Sequence, residues 1–308
     1  MKTRFLPLVA FLAIAGVLAA AAPAPNGPGA PVPPGAIPLA GGAAPAGAPR
    51  GAGAGPAGAG ARGAAARGAP MIKMDESATD PIVRVDQQWS GRHTANLARA
   101  KQGNVDLYML GDSITDNWGG GNVNGGAGQF AESWKKYVAG WAAANFGIGG
   151  DRTEHVLWRI KNGELDGLKP KAIVLLIGTN NLPASQYNYN PVPPEQAAQG
   201  VKLILDVIKE KQPQARVLLV SVFPRADQEQ AVINDRVQAL NALLARFADD
   251  KQVKYLDIYN KFLGPDGKLL PGVMQNDNLH PSAAGYDIWG QAMLPILTEW
   301  LGAPKPPN

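Results

Sequence analysis

Val105-Asp106-Leu107-Tyr108-Met109-Leu110-Gly111-Asp112-Ser113 decides the fold of this chain. The apolar run reads as a buried strand, and Gly-Asp-Ser follows it without a spacer. Open α/β sheets place their sites beyond the carboxyl ends of such strands. A serine there is a candidate nucleophile; the plainer reading is a turn with a helix cap.

Downstream of this strand the pattern alternates. Ala142–Phe146, Ala172–Ile177, Arg216–Val220 and Val253–Ile258 read as further strands. Thr153–Lys161, Glu195–Lys211, Gln230–Phe247 and Ala283–Trp300 read as helices, and Gln129–Tyr137 as helix or irregular chain. Apolar strands alternating with helices predict an α/β fold with a parallel sheet covered on both faces. Three long or glycine-rich connections, Gly119–Gly128, Leu182–Pro194 and Gly264–Asn278, are expected to gather at one rim of that sheet.

The region before this pattern is different. Met1-Lys2-Thr3-Arg4, then the apolar Phe5–Ala22, reads as a signal sequence over 1–22, cleaved near Ala21 or Ala22. An uncleaved anchor is the alternative. Pro23–Pro70 is almost wholly Ala, Gly and Pro, so a disordered tether is expected over 23–79. The folded domain is then 80–302, with a short tail at 303–308, and the expected location is secreted or periplasmic.

Charge sharpens this division. The net charge of +4 comes from the amino-terminal region: Lys2, Arg4, Arg50, Arg62 and Arg67 lie in residues 1–70, which hold no Asp or Glu. The other 24 of 29 basic residues face all 25 acidic ones. A near-neutral domain carries no nucleic-acid footprint. The tether arginines offer contact with an anionic envelope surface; a solvated linker is the plainer reading. With no cysteine, thiol catalysis and a disulfide framework are excluded.

A serine hydroxyl needs a base. The three histidines are His93, His155 and His280. The first two lie in helical stretches and read as structural. His280 stands three residues after Asp277 and before Pro281, a spacing that lets a carboxylate hold one ring nitrogen while the other faces a serine. Donors for an oxyanion are offered by the Ser113 N–H, by the glycine turn Phe146-Gly147-Ile148-Gly149-Gly150-Asp151 and by Gly178-Thr179-Asn180-Asn181. Each of these turns also has a purely conformational reading. Gly-x-Ser-x-Gly, the phosphate-loop motif and His-Glu-x-x-His are absent, so no cofactor and no metal are expected.

Gly-Asp-Ser-Ile-Thr at 111–115, the glycine turn ending at Gly150, Gly-Thr-Asn-Asn at 178–181 and Asp-x-x-His at 277–280 together resemble the four blocks of the SGNH (GDSL) hydrolases. Asn145–Asn181 is similar to the catalytic subunits of the intracellular platelet-activating-factor acetylhydrolases. It holds Asn-Phe-Gly-Ile-Gly-Gly-Asp, then His155-Val156-Leu157-Trp158-Arg159 and Lys161-Asn162-Gly163-Glu164-Leu165. The resemblance covers about residues 85–302. It implies a three-layer α/β/α flavodoxin-like fold with a five-stranded parallel sheet and ester hydrolysis through an acyl-serine. It also implies roles: Ser113 as nucleophile, His280 as base and Asp277 orienting it. Ser113 N–H, Gly150 N–H and the Asn180 side chain would form the oxyanion hole. The expected substrate is a small-molecule or carbohydrate ester, with short acyl groups favoured. A lipid or thioester acylhydrolase and a non-catalytic envelope-binding module are the alternatives.

Overall fold

The computed structural model describes residues 77–119, 130–183, 190–227 and 230–305. The signal sequence, nearly all of the tether, the bulk of Gly119–Gly128, part of Leu182–Pro194 and the end of the tail lie outside these.

Five strands form one sheet: β1 (Leu107–Gly111), β2 (Ala143–Asn145), β3 (Ala172–Leu176), β4 (Arg216–Val220) and β5 (Val253–Leu256). All neighbours are parallel, in the order β2-β1-β3-β4-β5. This is the flavodoxin-like order, and the chain reverses direction across the sheet between β1 and β3. The reversal opens a crevice at the carboxyl end of β1, where Ser113 stands.

Strand side chains alternate between faces, which splits the core in two. Tyr108, Leu110, Ile173 and Leu175 pack with α1 (Gln87–Lys101), α4 (Thr153–Arg159), α5 (Pro194–Lys211) and α6 (Gln230–Leu244). Leu107, Met109, Val174 and Leu176 pack with α2 (Ser113–Trp118), α3 (Ala131–Tyr137) and α7 (Ala283–Leu301). Sheet and two helical layers give the three-layer architecture. The second face is dense in aromatic rings: Trp118, Trp289 and Tyr286 lie 4.7–6.4 Å apart between centroids.

The sequence reading needs three adjustments. The helix expected through Lys161 does reach it, but α-helical bonding stops at Arg159 and a π-helical turn carries the chain to Asn162 and Gly163, which leave helical geometry, Gly163 at φ +105°. An extra helix, α2, begins at Ser113 itself. The edge strand β5 is only half-buried beyond Val253, rather than apolar throughout.

Candidate active site

Asp112 builds the serine corner. Its carboxylate accepts from Ile114 N at 2.9 Å and caps α2. Its carbonyl accepts from Asp116 N at 2.9 Å. Ser113 is therefore the first helical residue, held at the rim directly beyond β1.

The base arrives from the loop before α7. That loop is fixed by its own backbone: Gln275 N donates to His280 O at 2.8 Å, and Ala226 N donates to Asn278 O at 2.9 Å. Ser282 caps α7 just beyond. His280 Nε2 lies 2.8 Å from Ser113 Oγ, and His280 Nδ1 lies 2.6 Å from Asp277 Oδ2. Asp277 Oδ1 accepts from the N–H groups of Leu279 and His280, each at 3.0 Å. Partial burial pushes the Asp277 carboxyl up, but the His280 ring, those two N–H bonds and the His280 charge outweigh it and hold the group below its usual range. An ionised carboxylate only accepts, so Nδ1 carries the proton and Nε2 is free to take one from Ser113.

The glycine turn and the Gly178–Asn181 turn meet beside this corner. A Cβ at Gly149 would lie 3.8 Å from Ser113 Cβ. Asp151 N donates to Ile148 O at 3.2 Å, and Gly150 has φ +77°, so residues 148–151 form a type II β-turn with glycine where φ must be positive. Asn180 Nδ2 donates to Asp151 O at 2.9 Å, which ties the two turns together. Asn181 beside it is fully buried and accepts from Thr153 N at 3.0 Å. Ser113, Asp277 and His280 are thus joined by hydrogen bonds. Gly150 lies in the turn beside Ser113, and Asn180 is bonded to that turn.

The other two histidines are structural. His93 Nδ1 lies 2.8 Å from Glu164 Oε1. His155 accepts from Arg152 N at 3.1 Å, and burial, then the charges of Arg84, Arg152 and Arg159, keep its ring neutral.

Sequence reasoning missed the charged residues that support the site. Asp116 accepts from Gly149 N at 3.1 Å and from Arg92 at 2.5 Å. Arg84, only 4% exposed, donates to Gly149 O at 2.6 Å. Beneath the turn, the fully buried Arg159 donates to Asp151 Oδ2 at 2.8 Å and pairs with Glu164. Asp116 had one available signal, its place one helical turn after Ser113. Arg84 had none, because it acts 65 residues from its position in the chain.

Residues 109–288, more than half the chain, match the GDSL-like lipase/acylhydrolase family. Platelet-activating factor acetylhydrolase IB subunit alpha2 of Rattus norvegicus is 34% identical over 210 residues, covering 66% of this chain and 81% of the relative. The alpha1 subunit of Homo sapiens is 32% identical over 204 residues, covering 66% and 80%. The crystal structure of a GDSL-like lipase from Bacteroides thetaiotaomicron superposes with a TM-score of 0.52 at 19% identity, over 68% of this chain and 97% of that one. At that identity the likeness speaks for the fold alone. The sequence match and the serine corner together make this chain a member of the GDSL-like lipase/acylhydrolase family.

Proposed function

We propose that this serine esterase hydrolyses short acyl esters, acetyl above all, of carbohydrates or other small alcohols through an acyl-Ser113 intermediate. The continuous hydrogen-bond chain Ser113 Oγ–His280–Asp277 carries the proposal. Ser113 Oγ attacks the ester carbonyl carbon while its proton passes to His280 Nε2. The oxyanion accepts from Ser113 N, Gly150 N and Asn180 Nδ2. An amide nitrogen has two N–H donors, so the bond from Asn180 to Asp151 leaves one for this task. His280 then gives its proton to the leaving alcohol as the carbon–oxygen bond breaks. Water adds to the acyl carbon, its proton goes to His280, and the Ser113 oxygen departs with that proton as the carboxylic acid is released. Asp277 stays ionised and orients the ring throughout.

Relatives named acetylhydrolases support the acetyl preference. Export belongs to the same proposal. Phe5–Ala22 supports it, and protein recovered from its own host should begin near residue 22 or 23 by mass spectrometry.

Ser113→Ala is the direct test of mechanism. Its kcat on 4-nitrophenyl acetate should fall on the order of 10⁶-fold. Undiminished hydrolysis in the variant would overturn the assignment of Ser113, and a parent without esterase activity would leave a binding module as the better reading. A series of nitrophenyl esters tests the substrate: a maximum at two to four carbons is expected, whereas one at long chains would make this a lipid or thioester acylhydrolase.

A further inference from the structure

We infer that Arg84 is a positioning residue for the oxyanion hole, acting on the Gly150 N–H through the carbonyl of Gly149; this rests on the proposed role of that N–H. Gly149 C=O and Gly150 N–H belong to one peptide group, which is planar and trans. Fixing the oxygen fixes the direction of the N–H on the opposite side.

This peptide needs fixing. It is the central peptide of the turn 148–151, the unit whose reversal converts type II into type I. Glycine on both sides removes the side chains that would bias the choice. In the reversed form the Gly150 N–H points away from where it points in the type II turn. Arg84 Nη1 holds the oxygen at 2.6 Å. The guanidinium is itself held by Asp86 at 3.0 Å and Asp151 at 3.3 Å. Asp86 also caps α1 by accepting from Trp89 N at 2.8 Å, so the clamp is rooted in a helix end. On the other side of Gly149, its N–H donates to Asp116 Oδ2 at 3.1 Å. Asp116 is held by Arg92, which also donates to Gly147 O at 3.2 Å. Both polar groups of Gly149 are thus held by buried or half-buried charges. A cation on the carbonyl also polarises the peptide and makes its N–H a stronger donor.

The test uses the full chain with Arg84→Met and Arg84→Lys, measuring kcat and KM on 4-nitrophenyl acetate and inhibition by phenylboronic acid. The boronic acid forms a tetrahedral adduct on the serine and reads oxyanion binding. Deleting an oxyanion donor costs roughly 10²–10³-fold, and loosening one should cost less. For Arg84→Met the expected kcat loss is about 10- to 100-fold, with KM within about threefold and boronate affinity reduced by a factor close to that in kcat. Arg84→Lys, a donor without the fork, should fall between Arg84→Met and the parent. If Arg84→Met does not fold, Arg84→Lys decides by the same readouts. A kcat within about twofold of the parent overturns the inference, as does a rise in KM alone or an unchanged boronate affinity. Ser113→Ala, assayed in parallel, separates the two claims. Activity in Ser113→Ala overturns the proposed function. An inactive Ser113→Ala beside fully active Arg84 variants overturns this inference alone.

Discussion

Asp112 is fully buried, and only one of its carboxylate oxygens, Oδ1, has a partner among the described residues. Burial pushes its carboxyl up to about 7; the Ile114 N–H bond opposes this, the Asp151 charge adds to it and the Arg225 charge opposes it. An acid with a folded pKa above its unfolded value, near 3.9, holds its proton more tightly in the native state. Its favourable contribution is complete below about pH 4 and is lost as pH rises to about 7. Asp112→Asn keeps the helix cap and never ionises, so that loss disappears. The variant's Tm should exceed the parent's at pH 8 by about 4 °C or more, with the difference closing toward pH 4. A difference that stays constant with pH refutes the argument. Asn180→Ala is the companion prediction at the site: kcat should fall roughly 10²–10³-fold, and a tenfold loss or less would make Asn180 a turn residue. Ser113, Asp277 and His280 were legible in the sequence because each brings its own chemistry at a readable spacing. The burial of Asp112 was not, since a Gly-Asp-Ser turn looks solvated until the turns packed around it are in place.

At the scale of elements, glycines set how closely the turns approach. A Cβ at Gly147 would lie 2.4 Å from Asp116 N and 2.9 Å from Asp112 O, both backbone atoms of the serine corner. Neither can move without displacing α2. Gly147→Ala should therefore destabilise the protein by about 1–3 kcal/mol in urea denaturation. Gly149→Ala has its nearest neighbours at 3.8 Å and no positive φ to strain it, so its stability should stay within about 0.5 kcal/mol. Equal effects of the two substitutions would refute close approach as the reason for glycine at 147. The same scale shows where periodicity stops informing. β4 matches its predicted bounds, and α5 and α7 differ by one residue at one end, because long apolar patterns carry them. Helix α2, six residues long, is too short to display a repeating apolar face and was read only as a capped turn. The helical path beyond α4 breaks after Lys161 at Asn162-Gly163, a turn dipeptide inside an otherwise helical pattern.

Over the whole molecule, the alternation of strands and helices made a parallel sheet legible, but the strand order came only with the family resemblance. Periodicity says which face of a strand is buried and nothing about which strand lies beside it. That order brings the ends of β1 and β2 together, and the buried Arg159 joins them from below. It donates to Gly111 O at 3.3 Å at the end of β1, to Phe146 O at 3.0 Å just after β2 and to Asp151 in the glycine turn at 2.8 Å, and it pairs with Glu164. Burial lowers its pKa, but the charges of Glu164 and Asp151 raise it further, so the guanidinium stays charged. Asp151 also meets Arg84 at 3.3 Å, so the loss of Arg159 falls hardest on the buried carboxylate of Glu164. Arg159→Leu should destabilise the fold by about 3–5 kcal/mol, because uncompensated charge remains inside. Adding Glu164→Gln to Arg159→Leu removes the stranded charge. The double variant should then be more stable than Arg159→Leu alone, and urea midpoints at pH 7 measure the difference. If Glu164→Gln deepens the loss, Arg159 holds the rim through its bonds to Gly111 and Phe146 rather than through charge.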